Sequence, residues 1–144
     1  MLSNTCKYAI RAIIYLAVNA EGGKKIGIKK ISEDLQIPTP FLGKILQILA
    51  KQKILSSTKG PNGGFGIGRL PEDITLLEIV DIIDGNDLFE NCLISLESCS
   101  NNEMHCALHD TYGAIRDQIK DMFSEATIAN LAEKAKEGKE LIRL

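Results

Sequence analysis

The hexapeptide Lys59-Gly60-Pro61-Asn62-Gly63-Gly64 leaves this chain less choice than any other stretch. Three glycines and a proline in six residues end regular structure and turn the backbone. Before it, Ile54-Leu55-Ser56-Ser57-Thr58 reads as a strand, and after it Phe65-Gly66-Ile67-Gly68 reads as the hairpin partner. In an ordinary hairpin the glycines do no more than supply positive φ. At the tip of a wing they also let the backbone approach phosphates or a minor groove, where Lys59 would meet the negative potential. A phosphate-cradling P-loop is excluded, because no Gly-Lys-Ser/Thr closes the run.

The residues upstream favour the wing. Cys6, Ala9, Ile10, Ile13, Ala17 and Ala20 recur at helical spacing, which predicts a helix over 3–20 that Gly22-Gly23 ends. Lys25-Ile26-Gly27-Ile28 is a candidate short strand. A second helix is expected over 28–35, with Ile31 and Leu35 inward and Pro38 stopping it. Thr39 is the N-cap candidate of a third helix and Pro40 suits its first turn. That helix continues to about Gln52, with Phe41, Leu42, Ile45, Leu46 and Leu49 inward and Lys44, Gln47 and Lys51 outward. Two short helices followed by a hairpin make a winged helix-turn-helix, whose second helix enters a major groove.

Leu70-Pro71 marks a joint. Thr75-Leu-Leu-Glu78 has the form of a capping box and opens a helix that Gly85 ends. Residues 86–103 lack steady periodicity and read as a long loop. A long helix is expected from about Glu103 to Ser124. Along it Leu108, Tyr112, Ile115, Ile119 and Met122 are spaced 4, 3, 4, 3, a heptad-like seam suited to an isologous dimer contact or to packing within the chain. Thr127 is placed to cap a last helix over 128–136. The expected fold is mainly α with a small β-hairpin wing. Residues 1–70 form the winged helix-turn-helix; 71–144 hold the linker helix, the cysteine-rich loop (86–106) and the dimerisation helix in one compact unit.

The 144 residues suffice for a real core. No apolar run reaches bilayer-spanning length and no secretory pattern opens the chain, so no membrane partner and a cytoplasmic location are expected. The formal net charge of −2 hides an asymmetry: residues 1–69 carry eleven Lys and Arg against three acidic residues, and 70–144 carry six against sixteen. A basic half can rest on a polyanion while the whole chain stays acidic; two solvated surfaces of opposite sign read equally well on charge alone.

Three of the four cysteines, Cys92, Cys99 and Cys106, follow one another with six residues between neighbours, and His109 stands three positions after the last. In a reducing compartment such thiols suggest metal or redox chemistry before disulfides. Soft thiolates with an imidazole suit an iron–sulfur cluster or zinc. Zinc sites usually bring cysteines in closely spaced pairs, which are absent. Oxidation to a disulfide and a cofactor-free loop remain open beside these. His105 is solvent-facing or a substitute ligand, and Cys6 reads as a small buried apolar residue. An enzyme built on Cys106 and His109 lacks an orienting third group and an oxyanion site. A winged helix that binds only protein is the remaining rival class.

With the wing and the cysteines both in view, the chain resembles the Rrf-two family of winged-helix regulators over almost its full length. The resemblance rests on Lys7-Tyr8-Ala9, Ile31-Ser32-Glu33, Phe41-Leu42 with Ile45-Leu46, and above all on Ser56-Ser57-Thr58-Lys59-Gly60-Pro61-Asn62-Gly63-Gly64-Phe65, which matches the family wing S-x-R/K-G-x-x-G-G-Y/F. It implies a transcription regulator, not an enzyme: a homodimer on a palindromic double-stranded DNA operator. Lys7, Thr39, Pro40, Phe41, Lys44, Lys59, Gly60, Pro61, Asn62, Gly63 and Gly64 are the candidate DNA-facing residues, offering hydroxyl, amide, ammonium and backbone groups. The IscR-like members bind [2Fe–2S] through three cysteines and a histidine three residues after the last. That implies Cys92, Cys99, Cys106 and His109 here. The spacing departs from the five-and-five of those members. Lys7 stands where NsrR-like members recruit an Asp, and Gly43 stands where IscR-like members carry an acidic side chain, so the operator sequence does not carry over.

Overall fold

The computed structural model describes residues 1–96 and 106–138. Helix α1 (Asn4–Asn19) runs through the centre of the molecule. Ser3 caps it, its hydroxyl oxygen accepting from the Cys6 N–H at 3.0 Å, and Ser3 in turn donates its own N–H to the Asp84 carboxylate at 2.8 Å. At the other end Gly22 and Gly23 adopt φ of +71° and +79°, a turn open to glycine at little cost, and the chain leaves the helix there as expected.

Helix α2 (Ile28–Leu35) ends on Gln36 at φ +55°, and α3 (Thr39–Lys51) starts three residues later. The expected cap at Thr39 is corrected. The backbone oxygen of Pro38 accepts from the Phe41 and Leu42 N–H groups, at 3.1 and 2.9 Å, so Pro38 is the capping position. The Thr39 hydroxyl instead donates to Ser32 Oγ at 2.9 Å, and Ser32 donates on to the Ile37 oxygen at 2.6 Å. This chain of hydroxyls sets the angle between the two short helices, which is the geometry a helix-turn-helix needs.

The hairpin pairs β1 (Leu55–Thr58) with β2 (Gly64–Ile67), antiparallel and in the register Leu55 to Ile67 and Thr58 to Gly64. Ile26 adds a bridge, exchanging N–H and carbonyl with Phe65 at 2.9 Å each way. The Lys25-Ile26 stretch thus forms one rung rather than a full strand.

Beyond the hairpin, α4 (Leu76–Asp84) is capped by Thr75, whose hydroxyl accepts from the Glu78 N–H at 3.2 Å. The reciprocal half of the capping box is not made, because the Glu78 carboxylate binds Arg69 at 2.6 Å. The expected loop 86–103 contains a one-turn helix α5 (Asp87–Glu90) with Phe89 buried beneath it. Four residues are too few to show a helical period. The long helix α6 (His109–Glu125) begins later than the expected Glu103; Cys106 to Leu108 precede it as a turn, and residues 103–105 lie outside the described residues. Helix α7 (Ile128–Lys136) is capped by the Thr127 hydroxyl, as expected.

The core explains why these pieces hold together. Ala9, Ala12, Ile13 and Leu16 of α1 have no solvent exposure. They pack with Leu42, Ile45, Leu46 and Leu49 from α3 and with Ile74, Ile79, Ile128 and Ala132 from the C-terminal elements in one apolar group. A second group joins Cys6, Val80, Phe89 and Phe123, with Ile119 against it. The Phe89 and Phe123 rings meet edge-on at 5.8 Å, an arrangement that adds about 1 kcal/mol to the burial itself. Phe123 is the buried residue of α6, so this pair pins that helix to the rest. No helix among the described residues is long and apolar enough to cross a membrane.

Tyr15 shows how burial and a charge act on one side chain. Its hydroxyl donates to Asp34 at 2.6 Å, and Lys30 binds the other carboxylate oxygen at 2.8 Å. Burial, then the hydrogen bond to Asp34, raises the phenol from its ordinary value to about 12. The folded value lies above the unfolded one, so this contribution to stability is intact below pH ~10 and is lost as pH rises towards 12. Urea midpoints measured from pH 9 to 11 should therefore fall more steeply for the wild type than for Tyr15→Phe; parallel slopes would contradict the assignment.

Candidate nucleic-acid interface and thiol site

The third helix and the hairpin stand together. Lys44, Gln47, Ile48 and Lys51 project from the exposed side of α3, while Leu42, Ile45, Leu46 and Leu49 are buried behind them. Between α3 and the hairpin lies a cleft of about 430 Å³ lined by Gln47, Lys51, Ser57, Thr58, Lys59 and Phe65, among others. Two ammonium groups, an amide and two hydroxyls thus share one concave surface, the mixture that binds sugar-phosphate oxygens. Gln47, Lys51, Ser57 and Thr58 were not among the candidates named from sequence. The spacing of Lys44, Gln47 and Lys51 along one helix face carried the signal for the first two; the hairpin was read from the sequence, but its packing beside α3, which brings Ser57 and Thr58 to the cleft, was not.

The other candidates divide. Lys7, Pro40 and Lys44 are exposed. Phe41, expected to face inward as well as towards DNA, is 39% exposed and packs its ring edge-on against Tyr8 at 5.7 Å. Thr39 is half-buried and occupied with Ser32. Lys59, Gly60, Pro61 and Asn62 form the exposed tip.

The wing glycines answer first to the chain itself. A Cβ on Gly64, whose φ is +143°, would lie 2.3 Å from the Ile26 oxygen, and one on Gly63 would lie 2.2 Å from the Thr58 oxygen. Both are demanded by the hairpin and its bridge to Ile26, whatever binds outside. Gly60, at φ +107° with open space around it, is the glycine of the three that presents bare backbone outward.

At the far end of the molecule, Cys92 follows α5 and Cys106 precedes α6. Their Sγ atoms lie 3.3 Å apart, and both residues are half-buried. The start of α6 is tied to this place: the His109 N–H donates to the Cys106 oxygen at 2.9 Å, and Arg116 Nη1 donates to the Asn91 oxygen at 3.4 Å. Cys99, the third expected ligand, and His105 lie outside the described residues. Among the described residues no group of three His, Cys, Asp or Glu side chains is assembled as metal donors. Two touching thiols are the donor pair that a soft metal or a cluster takes, so the part of the site in view fits such a group. Cys6 is separate and buried, and burial, with Asp84 nearby, pushes its thiol up to about 12.

The expected seam is split by the fold. Leu108, Ile115 and Met122, seven residues apart, are 41, 50 and 57% exposed. Tyr112 and Ile119 are half-buried, and Ile119 packs on the second apolar group of its own chain.

Comparison with known proteins agrees with this architecture. A protein of Aquifex aeolicus assigned as an HTH-type transcriptional regulator is 33% identical over 132 residues, covering 91% of this chain and 90% of that protein. The HTH-type transcriptional regulator IscR of Pectobacterium atrosepticum is 25% identical over 130 residues, covering 90% and 77%. Among solved structures, CymR, the global cysteine regulator of B. subtilis, superposes with a TM-score of 0.75 at 22% identity, covering 92% of this chain and 96% of that one. T. potens IscR gives the same score at 21% identity, covering 98% and 92%; at these identities the two establish the shared winged-helix fold. The model of the Rrf2 family, described as iron-dependent transcriptional regulators, matches residues 2–134, and the chain belongs to that family.

Proposed function

We propose that this protein is a homodimeric transcriptional regulator that grips a palindromic DNA operator with α3 and the β1–β2 wing, and that the cysteine-rich segment sets its affinity. The observation that carries the reading is the basic cleft between α3 and the wing, placed in the half of the chain that holds eleven Lys and Arg against three acidic residues. Lys44 and Lys51 on α3 would approach the major groove and its phosphates. Lys59 and the open backbone at Gly60, with Pro61 and Asn62, would reach the adjacent backbone or minor groove. The carboxylates of residues 70–144 keep the opposite half away from the polyanion.

Dimerisation through α6 accounts for the outward row Leu108, Ile115 and Met122. Three apolar side chains at a seven-residue interval are the knobs of a short isologous helix pair, and a second copy would remove them from water. Phe123 and Ile119 hold the adjoining face of the same helix to its own chain. A shift at the cysteine site would thus reach both the dimer contact and, through the core, the winged helix.

Cys92, Cys99, Cys106 and His109 are the residues that would hold a [2Fe–2S] cluster. When bound, such a cluster supplies a redox-sensitive and oxygen-sensitive link between the ends of the segment. The chain's own part is to bring Cys92 and Cys106 together and to anchor them, through Arg116 to Asn91 and through the His109 N–H, against α6. Loss of the link would release the segment and shift the population of operator-competent conformers.

Two measurements test these parts separately. In a gel-shift on the protein's own upstream region with heparin and salt controls, Lys59→Ala should bind more weakly, and its slope of log affinity against log salt should fall by about one. An unchanged slope would remove Lys59 from the interface, and the absence of sequence-selective binding by the wild type would contradict the regulatory reading itself. Anaerobic reconstitution should then yield a coloured protein with visible charge-transfer absorption and matching iron and sulfide. A colourless protein that takes up neither would eliminate the cluster.

A further inference from the structure

The contact between Cys92 and Cys106 permits chemistry that needs no metal. Fourteen positions separate the two residues in sequence, yet their sulfur atoms touch at 3.3 Å. Neither lies inside a helix or strand: Cys92 follows extended backbone at Asn91, and Cys106 stands before the turn that opens α6. To form a disulfide the sulfurs need close only from 3.3 Å to bonding distance, about 2 Å. Both are accessible in part, and a cleft of about 500 Å³ lined by Ser3, Asp84, Asp87, Asn91 and Tyr112 opens beside Cys92. Cys6 has no exposure at all and stays out of such reactions.

We propose that Cys92 and Cys106 close to an intramolecular disulfide when the iron-free protein meets a peroxide, and that this bond excludes a metal–sulfur site at the same two thiolates. The disulfide stands on the geometry alone; the exclusion rests on the reading given under Proposed function. In the first step one thiolate attacks a peroxide oxygen. A sulfur–oxygen bond forms, the oxygen–oxygen bond breaks, and hydroxide leaves. In the second, the other thiolate attacks the resulting sulfenic sulfur, forms the sulfur–sulfur bond and expels hydroxide, which is protonated to water. Overall two thiols and one hydrogen peroxide give one disulfide and two waters, and the two electrons lost by sulfur reduce the peroxide.

The consequence is a covalent tie between the end of α5 and the start of α6. It reinforces the existing Arg116 to Asn91 hydrogen bond. The protein would then have a covalently tied cluster-free state, distinct from the reduced one in which the sulfurs touch without a bond.

The test uses the full chain, freed of iron, reduced, desalted under nitrogen and treated with one equivalent of hydrogen peroxide. Cleavage after Glu97 and Glu103 places Cys92, Cys99 and Cys106 on three separate peptides, so their masses name the partners directly. The expected product is the Cys92 peptide joined to the Cys106 peptide within one chain, with Cys6 and Cys99 still carrying free thiols. Cys99→Ser should give the same link. Cys106→Ser should give none and should leave a dimedone-reactive sulfenic acid on Cys92. A link to Cys99 instead, a disulfide between two chains, or unlinked sulfinic acid on Cys92 overturns the proposal, and the wild-type mapping decides this even if a variant fails to fold. In reconstitution, the oxidised protein should take up about tenfold less iron than the reduced protein, and dithiothreitol should restore uptake. Undiminished uptake overturns the exclusion. A protein that forms the disulfide but, when reduced, takes up no cluster contradicts the cluster reading and leaves the disulfide standing.

Discussion

The buried face of helix α1 is the constraint on which the rest of the structure depends. Ala9, Ala12, Ile13 and Leu16 are wholly removed from water, and each large aliphatic side chain among them contributes about 2 kcal/mol by that removal. The alanines matter as much as the isoleucine and leucine, because their small size lets neighbouring helices approach closely. Helix α1 packs against α2, α3 and β2 of the winged helix-turn-helix and against α4 and α7 of the C-terminal layer. A winged helix and a C-terminal helical layer that share one central helix cannot be loosened independently. This gives a physical route by which a change near α6 can be felt at α3.

The second apolar group extends the same logic to the cysteines. Cys6 sits at the start of α1, Phe89 lies in the one-turn helix just before Cys92, and Phe123 comes from α6. The thiol pair is therefore three residues from a core contact on one side and joined to α6 by short backbone bonds on the other. A tie formed or broken between Cys92 and Cys106 alters how firmly that corner is held. Weak surface pairs such as Lys136 with Glu21 contribute little beside this.

Much of this was legible before any coordinates. The proline and glycine punctuation located both short helices and the hairpin, because those residues restrict φ whatever the tertiary context. Thr127 capped as its position implied. The failures also have causes. Thr39 lost its capping role because the helix begins one residue early, with Pro38 at the capping position, and its hydroxyl serves a contact with Ser32 that local spacing does not reveal. Helix α5 is shorter than the period that would announce it. Phe41 turned towards Tyr8 and solvent because Leu42 already fills the inward position. The glycines at 63 and 64 suggested an outward role, whereas their first duty is to clear the backbone of Thr58 and Ile26. At the cysteine site, residue types pointed to thiolate chemistry, but nothing in the spacing of Cys92 and Cys106 said that they touch; that depends on α5 and the head of α6 folding onto each other.

The chain carries a basic cleft between α3 and the wing, an exposed apolar row on α6, and a touching thiol pair beside the head of that helix. The function proposed above requires the state of the thiol site to set DNA affinity. The direct measurement is fluorescence anisotropy on a labelled duplex from the protein's own upstream region, titrated with one preparation divided into cluster-loaded and cluster-free reduced portions at equal salt. The two isotherms should be displaced by at least about tenfold in Kd, or ~1.4 kcal/mol. Superimposable isotherms would contradict control of DNA affinity by the thiol site.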